Sequence, residues 1–440
     1  MPGIRVNSSN GNVWGWVRWF TLAFTFGFAC SWATLSWAES SSFRLEPIDT
    51  IDVPGFTIEI VGYDAQQRVL VGTNPHWKSL DVFDVEAFDP TALTMFDLGG
   101  ADEPGPQGVD TVYEPTSVAV HPTQPVALVS VLGRSVEKRG WLLGVDLRRG
   151  EDTLGVRVLW QGLGFHPDGI AVSPDGRWAV VACEGEGSPD TPGEVWAVDL
   201  AGLTADRRVR DGALPAFSLP GLAELMQQPA GGLEPEIVAF DPASRFAVVS
   251  LQENDAFVVV ALPEGGSPRL VGRTLLADGA NPDGIGVLDG VPGPDGRPGA
   301  LVAVAEEGRF NHAGQTTGNT VSFYWLDPAT LNQPAVLMSR TDVRPWVDAD
   351  EPEKRRDPES VRLLRAGGRT LAILTIERGD YLLGLDVTDP SNPVLFDKAK
   401  VGDRPEGLIL VDQPSGILIV TGDEGNRGPG TISVTRLVIE

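Results

Sequence analysis

A unit of short apolar runs separated by turn residues recurs seven times along this chain of 440 residues. The clearest copy, Ile170 to Leu200, contains the runs Ile-Ala-Val, Trp-Ala-Val-Val-Ala and Val-Trp-Ala-Val-Asp-Leu, with Ser-Pro-Asp-Gly at its first turn. Runs this short between glycine and proline indicate strands rather than helices. Repeats of about four short strands each are typical of β-propellers, which pack their sheets radially. The sequence therefore predicts an all-β fold, a seven-bladed β-propeller.

The last unit ends after its third strand, so its fourth strand must come from elsewhere in the chain. The strand-like segment Phe43–Val53 precedes the first unit, and its Pro47 is tolerable in an outermost strand. We predict that Phe43–Val53 pairs with Thr431–Leu437 and that this N-terminal strand closes the ring.

Residues 1–38 are predicted to be a secretory signal peptide. Arg5 and Arg18 precede an apolar stretch that ends in the small-residue pattern Ser36-Trp37-Ala38. An uncleaved membrane anchor is the alternative, although polar residues interrupt the stretch before it reaches the roughly 20 apolar residues of a spanning helix. We therefore expect an extracytoplasmic protein, periplasmic or secreted, in which residues 39–440 form a single propeller domain without a membrane span.

The charge of the chain is strongly negative. Its formal net charge is −26, and loss of a leader that carries two arginines and no acid would leave about −28. Such a field repels phosphate, so nucleic acid and anionic membranes are excluded as partners and cations are favoured. Loss of the leader would also leave Cys183 as the one cysteine, so no internal disulfide is expected. We expect a monomer stabilised by packing and sheet closure.

Five times a proline followed by a carboxylate opens an apolar run, and a glutamate follows the next run 17 to 25 residues after that proline. The gap holds a strand, a turn and a returning strand, so both acids should reach the same sheet edge. We predict two rings of carboxylates on one face of the propeller. The inner ring, at the channel mouth, comprises Asp168, Glu236, Asp283, Glu359 and Glu406, and the outer ring comprises Glu184, Glu253, Glu307, Glu377 and Glu424.

Crowded carboxylates repel one another unless cations neutralise them. Calcium, which takes about 6 to 8 oxygen ligands, suits such a set better than zinc, so all ten acids are candidate calcium ligands. Alternatively, a proline followed by an acid is ordinary turn chemistry, and the carboxylates accept backbone N–H groups. Salt bridges could also neutralise them, from Arg309, Arg378, Arg404 and Arg427. The structural use of these carboxylates and calcium binding by some of them are compatible.

Other chemistry is sparse in this sequence. It has no Gly-x-Ser-x-Gly, His-Glu-x-x-His, P-loop or Cys-x-x-Cys motif. His166 and His312 are expected on the acidic face, where they could act as bases or ligands or simply form surface hydrogen bonds. His121 is expected in a turn on the opposite face, and the acidic loop 348–353 is expected to be solvated.

A set of short motifs, in consistent order, resembles one family from about residue 115 to the C-terminus. The motifs are Phe165-His-Pro-Asp-Gly169 with Cys183-Glu-Gly-Glu186, Glu234-Pro-Glu236 with Leu251-Gln-Glu-Asn254, Pro282-Asp-Gly284 with Glu307-Gly308, Ile376-Glu-Arg378 with Leu385-Asp-Val-Thr-Asp-Pro390, and Arg404-Pro-Glu-Gly407. Together they resemble the choice-of-anchor I family. The resemblance implies an extracytoplasmic propeller, and some relatives are described as atypical calcium-dependent alkaline phosphatases.

From these observations we expect an exported propeller whose acidic axial face holds calcium and recognises an unknown small-molecule or surface ligand. One alternative is a calcium-dependent phosphomonoesterase, in which bound calcium would bridge and polarise the phosphate. A second alternative is a structural cell-surface protein without catalysis.

Overall fold

Seven four-stranded antiparallel sheets make up the described part of the chain. The computed structural model describes residues 42–53, 57–84, 93–97, 114–133, 135, 137–148, 161–185, 187–204, 214–309, 317–347, 356–426 and 428–440. Within it, Phe43–Ile439 form one compact unit. The predicted leader, His312, Arg427 and the acidic loop 348–353 lie outside the described residues. The prediction of a seven-bladed propeller is confirmed.

The blades follow one another along the chain, each from its inner to its outer strand. Blade 1 contains β2 (Val61–Asp64), β3 (Val69–Asn74), β4 (Ser79–Asp84) and β5 (Leu93–Asp97). Blade 2 contains β6 (Pro115–Val120), β7 (Val126–Val131), β8 (Arg139–Asp146) and β9 (Gln161–Phe165). Blade 3 contains β10 (Pro167–Val172), β11 (Trp178–Cys183), β12 (Glu194–Asp199) and β13 (Ala216–Ser218). Blade 4 contains β14 (Pro235–Phe240), β15 (Phe246–Leu251), β16 (Ala256–Ala261) and β17 (Arg269–Leu275).

The last three blades have the same order. Blade 5 contains β18 (Pro282–Pro292), β19 (Pro298–Glu306), β20 (Thr320–Leu326) and β21 (Val336–Asp342). Blade 6 contains β22 (Pro358–Ala366), β23 (Arg369–Ile376), β24 (Tyr381–Asp386) and β25 (Val394–Lys400). Blade 7 contains β26 (Pro405–Gln413), β27 (Gly416–Asp423), β28 (Thr431–Ile439) and β1 (Phe43–Asp52), which is its outermost strand.

Helical structure is confined to short connections. Two α-helical turns span Leu222–Met226 and Arg344–Val347, and 3₁₀ turns span Ala230–Gly232, Gln252–Asn254 and Glu377–Gly379. Among the described residues, no helix has the length and apolar character that crossing a membrane would require.

The second strand of a blade is a continuous apolar run rather than an alternating one. Every residue of β11 and of β15 is buried, whereas the outer strands β21 and β25 are largely accessible. A strand inside a blade has neighbouring blades on both of its faces, so side chains pointing either way are removed from water. The sequence pattern of unbroken apolar runs follows from this position.

Hydrophobic clusters between adjacent blades hold the ring together. Trp178 and Val180 of blade 3 pack with Val249 and Val258 of blade 4. The described residues contain one such cluster at each of the seven blade interfaces. Burying one such side chain contributes about 1.5–3 kcal/mol relative to leaving it exposed. Packing of this kind stabilises the fold without a disulfide, since the one cysteine described, Cys183, is free and buried.

The inner strands surround a central channel. β2, β6, β10, β14, β18, β22 and β26 each lie against the next in this order, and β26 lies against β2. Because every blade runs outward in the same sense, all seven inner strands begin at the same end of the channel. Residues at these strand starts, far apart in sequence, therefore meet at one mouth.

The N-terminal strand closes the ring, as predicted. β1 pairs antiparallel with β28, from Phe43 opposite Ile439 to Asp52 opposite Thr431. The register shifts between Pro47 and Asp49, where the proline is accommodated on the open edge of the sheet. Phe43, Leu45 and Ile51 of β1 are buried in the core, whereas residues 47–50 are exposed.

We expect replacement of Ile51 by alanine to destabilise the whole propeller. Ile51 is 4% exposed and packs between blades 7 and 1. Truncating a buried isoleucine removes about 2–5 kcal/mol of unfolding free energy. Urea denaturation followed by circular dichroism measures the change.

Ile48→Ala is the matched control, because Ile48 lies in the same strand but is 41% exposed. We expect a change of no more than about 0.5 kcal/mol for this exposed position. Equal midpoints for wild type and Ile51→Ala would show that β1 is dispensable for closing the ring.

Candidate functional site

Each predicted proline–acid motif forms a β-bulge at the start of an inner strand. In β10, Pro167 pairs with Cys183, and the next pair is Ile170 with Val181. Asp168 therefore lies in a stretch where two residues oppose one, outside the regular ladder. The same shift occurs at the motifs of β14, β18, β22 and β26. Because the bulge recurs in these five blades, each acid takes the same position at the channel mouth.

The residue before the proline connects the two predicted rings. His166, Asn281, Asp357 and Arg404 all adopt positive φ values of 45° to 60°, which is uncommon for residues other than glycine. The carbonyl of each accepts a hydrogen bond from the N–H of an outer-ring glutamate. The pairs are Glu184 to His166 (2.8 Å), Glu307 to Asn281 (3.1 Å), Glu377 to Asp357 (2.9 Å) and Glu424 to Arg404 (2.9 Å).

Blade 4 departs from this arrangement. There Gln252, rather than Glu253, donates its N–H to the carbonyl of Glu234, at 2.9 Å. Glu253 therefore lies one residue beyond the equivalent position. Its Oε2 is 3.1 Å from Nη1 of Arg309, and its side chain is 49% exposed.

A cavity of about 280 Å³ lies at this mouth of the channel. Both arginines and carboxylates line it. Its charged lining residues are Glu59, Asp168, Glu236, Asp283, Glu307, Glu359, Glu377, Arg378, Arg404 and Glu406. The structure thus brings all five predicted inner-ring acids together, joined by Glu307 and Glu377 of the outer ring.

Glu59 is a member of the inner ring that sequence reasoning missed, because no proline precedes it. It lies two residues before Val61, as Asp168 lies two residues before Ile170. That offset is the signal that could have identified it. Thr116 occupies the corresponding place in blade 2, and its hydroxyl donates to the carbonyl of Pro167 at 2.7 Å. The inner ring therefore contains six acids and one threonine.

Three carboxylate clusters stand out among the described residues, each with ligand oxygens within 4.8 Å of one another. Cluster A contains Asp168, Glu184 and Glu236, cluster B contains Glu307, Glu359 and Glu377, and cluster C contains Glu377, Glu406 and Glu424. Each joins acids of two adjacent blades. Of the ten predicted acids, Asp283 lines the cavity and Glu253 stands apart, and neither belongs to a cluster.

Guanidinium groups offset part of the charge in clusters B and C. Arg404 forms ion pairs with Glu377 and with Glu424, the latter at 2.7 Å. Nε of Arg378 lies 2.5 Å from Oδ2 of Asp357 and 3.6 Å from Oε2 of Glu377. These contacts agree with the alternative that some of the acids form salt bridges.

In cluster A, neither Asp168 nor Glu236 forms an ion pair with an arginine or lysine of the described chain. The third acid, Glu184, lies beside His166, whose Nδ1 is 3.3 Å from Oε2 of Glu184. Oε2 of Glu236 is buried and has no hydrogen-bond partner among the described residues. An unpartnered buried carboxylate oxygen is unfavourable unless a proton or a cation occupies the site.

Burial raises the pKa values of the inner carboxyl groups. The pKa of Glu59 rises to about 8, with the charge of Glu424 adding to the effect of burial, and that of Asp283 rises to about 7. Burial first and a neighbouring acid second hold three further pKa values well above the usual range, those of Glu236, Glu359 and Glu406. Any cation bound here would favour the ionised forms.

The remaining candidates have ordinary surroundings. His121 lies in the turn after β6, where its Nδ1 accepts the N–H groups of Thr123 and Gln124 and its Nε2 donates to the carbonyl of Gly176 at 2.9 Å. That pattern fixes one neutral tautomer and gives His121 a structural role. Burial raises the pKa of the Cys183 thiol far above its usual value, so Cys183 is not a thiolate nucleophile.

One solved structure with the same fold is a chain of Kuenenia stuttgartiensis hydrazine synthase, at a TM-score of 0.58. The alignment covers 89% of this chain and 98% of that chain at 16% identity, so the likeness shows the fold alone. A comparison with curated proteins gives no match. The family model of the choice-of-anchor I domain matches residues 59–272, which include cluster A. This match over residues 59–272 confirms the resemblance to the choice-of-anchor I family that the motifs show.

Proposed function

We propose that this protein is an exported propeller that binds calcium at cluster A and recognises a ligand through the bound ion. The observation that carries the proposal is the set of three carboxylates within 4.8 Å of one another, one of which has a buried oxygen without a hydrogen-bond partner in the described chain. Carboxylate oxygens are the ligands that calcium prefers. A cation here would offset the repulsion that assembling the cluster creates.

Three carboxylates supply at most six oxygens, whereas calcium takes about 6 to 8. Asp168 and Glu236 also line the cavity of about 280 Å³, which leaves room beside them for water or a ligand oxygen. A ligand with hydroxyl or carboxylate groups would complete the coordination. Recognition through the ion also explains how so acidic a mouth could hold an anionic group.

An extracytoplasmic location fits this chemistry. The choice-of-anchor I family and the predicted leader both support export. Calcium sites of extracellular modules have dissociation constants of about 10⁻⁴–10⁻³ M, and we expect cluster A to bind calcium in that range.

Calcium is expected to stabilise the wild-type protein, by about 2.7 kcal/mol at a hundred times the dissociation constant. Glu236→Gln should lose most of this gain, because it removes one ligand charge from cluster A. The same variant should be at least as stable as wild type in chelator, because it also relieves repulsion. Differential scanning calorimetry in calcium, in magnesium and in chelator measures both effects.

Glu253→Gln is the matched control for this experiment. Glu253 belongs to the same predicted ring but pairs with Arg309 and lies outside the clusters, so its calcium gain should equal that of wild type. Identical melting curves of wild type in calcium and in chelator would refute the proposed site. Loss of stability in Glu236→Gln under both conditions would instead assign Glu236 a structural role.

The calcium effect should also depend on pH. The folded-state pKa values of Glu59 and Asp283, about 8 and about 7, exceed the usual 4.5 and 3.8. The folded protein therefore binds more protons than the unfolded chain between these limits, and in chelator the unfolding free energy should fall as pH rises from about 5 to about 8. Because calcium favours the ionised ring, its stabilisation should grow over the same window.

Denaturant midpoints measured along this pH series, with calcium and with chelator, test the dependence. A stability in chelator that rises with pH would show that the carboxyl groups of the ring are not held protonated by burial. A calcium gain that shrinks towards pH 8 would argue against binding by the ionised carboxylates.

A second candidate function is calcium-dependent phosphomonoester hydrolysis. The observation that favours it is that Arg378 and Arg404 line the same cavity as the carboxylates. A guanidinium beside a bound cation can contact the non-bridging oxygens of a phosphate, while the ion polarises it as a Lewis acid. Relatives described as atypical alkaline phosphatases are consistent with this candidate.

If the protein is a phosphatase, turnover of p-nitrophenyl phosphate should require calcium and should fall at least about a hundredfold in Glu236→Gln, because the metal would supply several kcal/mol of charge stabilisation. His121→Ala, at the far end of the channel, should keep wild-type turnover. Hydrolysis that persists in chelator would place the chemistry outside cluster A. No hydrolysis by calcium-loaded protein would leave ligand binding as the function.

A further inference from the structure

A second cavity of about 440 Å³ lies along the channel, and Arg362 of β22 lines it. The remaining lining comes from the inner strands of blades 1, 2, 3, 4 and 7, where aliphatic residues such as Ile170, Val238 and Val411 lie among polar atoms that make up the larger share of the accessible surface. It includes Ala65, which follows β2, and Asp412 near the end of β26. The cavity therefore extends towards the end of the channel opposite the acidic mouth.

Arg362 occupies a position of the inner strand at which none of the other six blades has an arginine. It lies four residues after Pro358, the proline that opens β22. Counted from the corresponding starts of the other inner strands, its equivalents are Gly62, Ala119, Ala171, Ala239, Gly286 and Ile409. Five of these six are glycine or alanine. Small residues on the facing strands leave the space into which the long side chain of Arg362 extends.

Although Asp412 lines the same cavity, the guanidinium of Arg362 forms no ion pair in the described part of the chain. Its one hydrogen bond there runs from Nη1 to the carbonyl of Val361, at 3.3 Å, and it forms no ion pair with a described carboxylate. Burial lowers its pKa, and no neighbouring acid opposes that effect. A half-buried charge that has lost part of its hydration and has no ion-pair partner is unfavourable. In a chain with 60 acidic and 34 basic residues, an arginine in this situation points to an anion that is brought from outside.

We propose that Arg362 binds the carboxylate group of a small organic acid whose apolar part occupies the channel cavity. A planar guanidinium donates two parallel hydrogen bonds to a carboxylate, which gives both affinity and orientation. The aliphatic residues that form part of the lining can contact a short hydrocarbon chain, and the volume lies within the range of small-molecule sites. The acid would enter from the end opposite the carboxylate clusters, so it need not pass them.

This site is independent of the calcium site. Arg362 lines a different cavity from Asp168, Glu236 and the other clustered acids. Its ligand has the opposite charge and needs no metal. Either proposal can therefore fail without affecting the other.

Isothermal titration of the mature protein with hexanoate tests the assignment. Wild type should bind hexanoate, and hexanol and hexylammonium should bind at least about tenfold more weakly, because they lack the charge-assisted hydrogen bonds. Arg362→Met should weaken hexanoate binding by about ten- to a hundredfold, since it keeps the length of the side chain but not the charge. Binding that is equal in wild type and in Arg362→Met would overturn the proposal, as would no binding to wild type.

Arg365→Met is the matched control. Arg365 lies three residues further along β22, is exposed, and donates Nη2 to the carbonyls of Asp289 and Gly290 at 2.9 Å each. Its replacement should leave hexanoate affinity unchanged, and a loss equal to that of Arg362→Met would show a general charge effect instead. Should Arg362→Met fail to fold, Arg362→Lys keeps the charge but not the paired donors. Unchanged hexanoate affinity in folded Arg362→Lys would overturn carboxylate recognition by the guanidinium.

Discussion

The antiparallel pairing of β1 with β28 is the interaction on which the rest of the propeller depends. It turns a row of blades into a closed ring, and closure fixes the distance between every pair of adjacent inner strands. Carboxylates separated by more than fifty residues, such as Asp168 and Glu236, can then be held within 4.8 Å despite their repulsion. An open row of blades would relax this crowding by moving apart. The inter-blade packing therefore stabilises the charged mouth as well as the core.

The closed ring gives the channel two ends of different chemistry. Six inner-ring acids surround one mouth, and the one arginine that lines the second cavity lies further along the axis. Both sets of charges are half-buried, so water and salt screen them less than they screen charges on the open surface. The inner strands share one geometry, so the distance of a residue from the strand-opening proline fixes its depth along the channel. The acid follows that proline directly, and Arg362 lies four residues after it. Position along the inner strand thus determines which charged side chains line each end of the channel.

Much of this architecture could be predicted from the sequence, because each feature of the repeat has a local cause. The seven apolar units, the closing strand Phe43–Val53 and the proline–acid starts of the inner strands all appear as patterns within about twenty residues. What the sequence did not show are the relations between blades. Glu59 lacks the preceding proline that marks the other acids of the inner ring. Glu253 lies one residue beyond the position of the other outer-ring glutamates, and only the hydrogen bonds reveal this shift. Arg362 could not be singled out, since its lack of a partner depends on residues of five other blades.

In clusters A and C, the residue before the strand-opening proline affects how the charge of the carboxylates is neutralised. Its φ is positive in both blade 3 and blade 7, but the side chain is His166 in one and Arg404 in the other. Arg404 forms permanent ion pairs with two acids of cluster C, whereas a histidine beside cluster A is charged only when protonated. Substitution at a single repeated position can therefore convert an internally neutralised cluster into one that favours an external cation. By this reasoning we place the proposed ion site at the interface of blades 3 and 4 rather than at that of blades 6 and 7.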